Sequence, residues 1–127
     1  DLKSLRKSDE WQLQLYLDTT SLQNGGTEVD VSICNLEKYR TFNGNYTIWL
    51  VEQIRMQHCD GTCWTVRQVI ARGDILQLPQ DATQGCPLPD HFPLPAKQDM
   101  GRYALVGAVF DTSGAVQAVA WEALSGQ

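Results

Sequence analysis

The stretch WQLQLYL, residues 11–17, puts Trp11, Leu13, Leu15 and Leu17 on one side of the chain and Gln12 and Gln14 on the other. Strict alternation has the period of a pleated strand, whereas a helix needs its apolar residues three and four apart. The segment therefore reads as a half-buried strand, and its apolar side needs a second layer to cover it. The pattern returns along the chain. Val29, Val31 and Ile33 alternate after Asn24-Gly25-Gly26, and YTIWLVEQI (46–54) follows Asn43-Gly44-Asn45, both preceded by turn chemistry. WTVRQVI (64–70), DILQL (74–78), RYALVGAVF (102–110) and AVQAVAW (115–121) complete the set. These runs are separated by Gly, Asn, Asp and Pro clusters, and no long helical pattern competes with them. The fold expected is all-β, a mostly antiparallel β-sandwich of about seven strands, with a partly closed barrel as the alternative. One buried face per strand predicts a core containing Trp11, Leu13, Leu15, Val31, Ile33, Trp49, Tyr103 and Leu105.

A chain of 127 residues suits one domain. Residues 1–10, DLKSLRKSDE, offer few apolar groups for docking and read as a flexible leader or tether, which leaves 11–127 as a single sandwich domain. The net charge of -5, with no basic run, opposes a phosphate backbone, so nucleic acid is not an expected partner. No apolar run approaches the roughly 20 residues that cross a bilayer as a helix.

Four cysteines fall at positions 34, 59, 63 and 86, two of them inside HCDGTCW (58–64). Asp60-Gly61 is turn chemistry between two strand runs, so this segment is expected at a hairpin tip with Cys59 facing Cys63. A zinc module would need paired C-x-x-C spacings, and a thioredoxin-like centre would need C-x-x-C at a helix start; neither is present. The simplest account is two disulfides, Cys59 with Cys63 and Cys34 with Cys86, in an oxidising compartment. Loop-closure entropy assigns about 2 kcal/mol to the short bridge and about 4 kcal/mol to the long one. No cofactor or metal is expected.

Other groupings carry less. Arg72-Gly73-Asp74 spells an adhesive tripeptide but reads equally as a turn, and Asn45-Tyr46-Thr47 is a glycosylation sequon that is meaningful only on a eukaryotic secretory route. Asp90 and His91 with Ser113 or Ser125 lack a G-x-S-x-G elbow, so no catalytic residue is assigned and an enzyme is not expected. The proline-rich CPLPDHFPLP (86–95) reads as an extended crossing between the sheets. Aromatic residues near strand ends, Tyr39, Phe42 and Trp64, are the candidate partner anchors, with core or edge packing as the competing reading.

DILQLP, FPLP and MGRYALVGAVFDTSGAVQAVAW together resemble the C-terminal half of the YscW-type pilotin lipoproteins of type III secretion, the secretin pilots that include ExsB-like members. The resemblance spans residues 74–121 and rests on Phe92-Pro93, Arg102-Tyr103 and Asp111-Thr112-Ser113-Gly114. It implies a monomeric lipoprotein on the periplasmic face of the bacterial outer membrane. Its lipid anchor would lie before residue 1, and it would bind the C-terminal segment of a secretin and promote ring assembly. A generic envelope or extracellular binding module of the sandwich type, and a small hydrolase, are the alternatives from other classes.

Overall fold

The computed structural model describes residues 10–21, 27–54, 63–88 and 102–124. Within them the chain forms β1 (Leu13–Ser21), β2 (Thr27–Asn35), β3 (Phe42–Ile54), β4 (Cys63–Leu78), β5 (Thr83–Gly85), β6 (Tyr103–Asp111) and β7 (Val116–Ala123). They make two open antiparallel sheets, ordered β1-β2-β5 and β4-β3-β6-β7, and not a closed barrel. The all-β sandwich is thus the fold.

The alternating runs behave as their period requires. In the β1–β2 hairpin Leu15 lies opposite Ile33 and Leu17 opposite Val31, and all four are buried. The central β3 pairs with β4 on one side and β6 on the other, presenting Tyr46, Ile48 and Leu50 to the same core as Leu105 and Val109. The layers approach closely at Gly107, where an added Cβ would lie 2.8 Å from Leu15 Cδ2. The β6–β7 turn is built by Asp111, whose Oδ1 accepts from the backbone N–H of Ser113 at 2.9 Å and of Ala115 at 3.0 Å. Gly114 completes it at φ 89°, a left-handed conformation that a side chain would strain.

The chain changes sheet three times, between β2 and β3, between β4 and β5 and between β5 and β6, and the fully buried Asn35 fastens the first two of these crossings. Its Nδ2 donates to the carbonyls of Arg40 (2.9 Å) and Leu78 (3.0 Å), and its Oδ1 accepts from Glu37 N–H at 2.9 Å. Its own N–H donates to Ala82 O at 2.9 Å. Every polar atom of this amide is satisfied, which is what makes its burial tolerable.

Several expectations need correction. The runs 64–70 and 74–78 are one strand, β4, and Arg72-Gly73-Asp74 is an interior part of it, paired with Thr47, Tyr46 and Asn45, not a turn. Glycine is required there because a Cβ on Gly73 would lie 2.6 Å from the Tyr46 hydroxyl. The short β5 had no readable pattern. Trp49 faces away from the core because Ile48 and Leu50 on either side of it face in, whereas Leu15, Val31, Ile33 and Leu105 are buried as expected. Trp11, Leu13 and Tyr103 pack against the core while staying partly exposed.

Cys34 and Cys86 are free thiols, not a bridge. The period of β2 explains why. Cys34 alternates with the inward Ile33, so its Sγ lies outside the sheet, 2.9 Å from Thr83 Oγ1, while Cys86 belongs to the buried core. Cys86 N–H bonds to Val31 O, three residues from Cys34 along β2. Three residues of strand is roughly 10 Å, well beyond the Cα separation that a disulfide spans. Burial pushes the Cys86 thiol up to about 11. Cys63 is disulfide-bonded, and Cys59 lies outside the described residues.

Candidate functional site

Residues pointing outward from the two sheets differ in kind. On the three-stranded sheet they are Gln14, Tyr16, Asp18, Glu28, Asp30 and Ser32, the polar half of a clean alternation. On the four-stranded sheet the outward half is largely apolar as well, interrupted on β3 by Asn45, Thr47 and Gln53. Trp49, Val51, Ala104, Val106, Ala108 and Phe110 point away from the core along the two central strands, and Trp64, Val66, Val119 and Trp121 do so along the edges.

This outer layer is organised by its aromatic rings. Trp64 on β4 and Trp121 on β7 belong to opposite edges of the sheet, yet their rings meet edge to face with centroids 4.7 Å apart. They therefore pass above β3 and β6, and residues beneath are shielded: Val51 and Ala104 are buried although neither belongs to the core cluster. Further along the face Trp49 and Phe110 make a second edge-to-face pair at 6.5 Å. The two bridging tryptophans remain 41% and 47% exposed, and Val66 and Val119 beside them are exposed as well. Rings held in place by one another with half their surface in water are the form that binding anchors take.

Below the same end of the sheet, Glu52 is buried opposite Tyr103. It accepts from Arg67 Nε, and its second oxygen accepts from Arg102 Nη2 at 2.7 Å. The Arg67 hydrogen bond is the chief cause that holds the Glu52 carboxyl below its usual range, and burial opposes it. Both guanidiniums stay more than half exposed at their side chains. Two cations share one carboxylate.

The aromatic candidates separate. Trp64 is part of the outer layer. Tyr39 is 91% exposed, but it lies in the β2–β3 connection at the far end of the sandwich. Eleven residues of β3 separate Phe42 from Gln53, the cross-strand partner of Trp64, and at about 3.3 Å each that is roughly 36 Å. Phe42 is not an anchor at all: it is fully buried, with Trp11 edge-on at 4.9 Å. Trp121, the other half of the outer pair, was legible only as one more residue in an apolar run.

A depression at the Phe42 end is lined by Trp11, Arg40, Asn43, Asp111, Ser113 and Gln117. Its polar groups serve the fold. Arg40 lies over the Trp11 ring at 4.0 Å and bonds Glu37 at 2.7 Å, while Gln117 links Trp11 N–H to Asp111. Ser113 donates its hydroxyl to Asp111 at 2.6 Å, so it caps a turn. His58, Asp90, His91 and Ser125 lie outside the described residues, and among the described residues no three His, Cys, Asp or Glu side chains group as metal ligands. No family model, curated protein or solved structure matches this chain.

Proposed function

We propose that the protein is a binding protein of the secretin-pilot kind, which holds an apolar C-terminal segment of a larger envelope protein against the outer face of its four-stranded sheet. The observation that carries this reading is the Trp64–Trp121 pair, ordered by mutual contact and half exposed on a sheet that is largely apolar on both faces. A monomeric antiparallel sheet ordinarily turns polar residues to water on its second face, and a contiguous apolar patch there marks a contact surface. The bridged Cys63 fits an extracytoplasmic setting. The pilot identity adds a specific partner to this surface, and it comes from the sequence resemblance.

The test is calorimetric titration of the purified chain with the C-terminal segment of the secretin encoded in the same genome. Trp64→Ala and Trp121→Ala should each weaken binding about tenfold or more, as central aromatic anchors do. Tyr39→Ala, at the other end of the molecule, should leave it unchanged. Failure of the wild-type protein to bind would overturn the pilot reading, and unchanged affinity in both tryptophan variants would overturn the surface.

A further inference from the structure

The two edges of the four-stranded sheet differ. At one, β7 packs beside β1, and Trp11 N–H donates to the Gln117 side chain at 3.2 Å. At the other, β4 is 16 residues long and pairs only with β3 among the described residues. An unpaired edge is a template for an extended chain, and its charges restrict which chain fits.

The charged residues of β4 are Arg67, Arg72 and Asp74. Arg67 is committed to the buried Glu52. Arg72 and Asp74 are exposed, and among the described residues neither side chain makes a hydrogen bond or a salt bridge. They flank Gly73, whose inward side is filled by the Tyr46 ring, so both point to the outer face. They also lie in the longest unbroken stretch of the β3–β4 ladder, Ala71 to Ile75 opposite Ile48 to Gly44. The Gln84 side chain of the other sheet reaches the Asp74 carbonyl at a long 3.4 Å, so this edge is touched without being paired.

Opposite charges placed symmetrically about one residue suit a two-fold contact, in which residue i of one copy meets j of the other and j meets i. An antiparallel pairing of two β4 strands centred on Gly73 sets Arg72 of each copy against Asp74 of the other. Directly opposed residues share a face of the sheet, so both ion pairs form on the outer side, where opposite charges stabilise a ladder. Gly73 meets Gly73 at the axis, Ala71 lies opposite Ile75, and the exposed Leu76 comes against the edge at Val69 and Ile70. Arg67, six residues from the axis, meets no arginine of the other copy.

We infer that β4 pairs with β4 of a second copy, antiparallel and centred on Gly73, joining the two four-stranded sheets into one continuous sheet. The sequence resemblance implies a monomer; the charge symmetry of this edge argues for the pair. The inference is independent of the binding reading, because Trp64 and Trp121 lie outside the paired stretch and both outer faces stay open on one side of the joined sheet.

The test is sedimentation of the full chain over a range of concentrations. Five paired residues per copy make a small interface, so a reversible dimer is expected, half-formed below about 1 mM and weakened by salt. Arg72→Asp and Asp74→Arg, both exposed changes, should each weaken self-association about tenfold or more, because both pairs across the axis become like-charged. Mixed in equal amounts, the two variants should associate again, since two carboxylates of one copy then face two guanidiniums of the other. The double variant Arg72→Asp/Asp74→Arg should dimerise like the wild type. A wild-type chain that stays monomeric up to that concentration would overturn the inference. So would a dimer that both single variants leave intact, or one that mixing them does not restore.

Discussion

The two sheets obey the same pleat and present opposite surfaces. The outer side of the three-stranded sheet carries Asp18, Glu28 and Asp30, all exposed, among other polar residues. On the four-stranded sheet the equivalent side is mostly tryptophan, valine, alanine and phenylalanine, with Asn45 and Thr47 toward one end. A sheet with one polar face is complete once its other face is buried; a sheet apolar on both faces has a second area to cover. Part of that area is covered by the sheet's own tryptophans reaching across it, which is why Ala104 is fully buried outside the core. The exposed remainder is where the surfaces of the two sheets differ.

The largest effects should come from the core that both sheets share. Ile33→Ala in one sheet and Leu105→Ala in the other each remove a fully buried aliphatic side chain and should cost about 3 to 4 kcal/mol in denaturant unfolding. If only one of the two were costly, the symmetric picture of a core shared by both layers would fail. Asn35→Ala should follow at about 2 to 3 kcal/mol, because it strands two buried carbonyls and an N–H at the crossings that join the sheets. A loss below about 0.5 kcal/mol, the range of surface changes, would show that the crossings hold without it.

The outer faces should then diverge. Trp121→Ser removes a half-exposed ring and its edge-to-face contact, so it should cost about 1 kcal/mol. It should also expose Ala104 and Val51 and reduce binding of a hydrophobic dye. On the three-stranded sheet Ser32→Ala should change stability by less than about 0.5 kcal/mol and leave dye binding unaltered. Equal dye responses would erase the distinction between the faces.

A finer probe is pH. The Glu52 carboxyl lies below its ordinary value of 4.5 in the folded chain, chiefly through Arg67. A depressed carboxyl contributes stability that is complete above the ordinary value and is lost as pH falls through the folded one. Acid unfolding followed from pH 6 downward should therefore be less steep in Glu52→Gln than in the wild type. Glu37 and Asp111, also held below their ordinary values by hydrogen bonds, remain in both proteins and set the residual slope.

The sequence by itself determined the strands and, where the alternation is clean, their orientation. WQLQLYL and VDVSI place Leu15, Leu17, Val31 and Ile33 inward because every other residue is polar, and only one face can be buried. In IWLV and YALVGAVF both faces are apolar, so period two defines two sides without saying which meets the core; Trp49 was assigned to the wrong one for that reason. Strand order decided the rest. It brought Trp64 against Trp121 across two intervening strands, set Cys34 and Cys86 on different sides of a sheet, buried Phe42, and ran Arg72-Gly73-Asp74 through the middle of β4. Nothing in the sequence marks Asn35, and it is fully buried only because two crossings converge on it. Periodicity is local and survives in a single chain segment. Which segments lie side by side is set by the free energy of burying all of their apolar faces together, and that no segment carries alone.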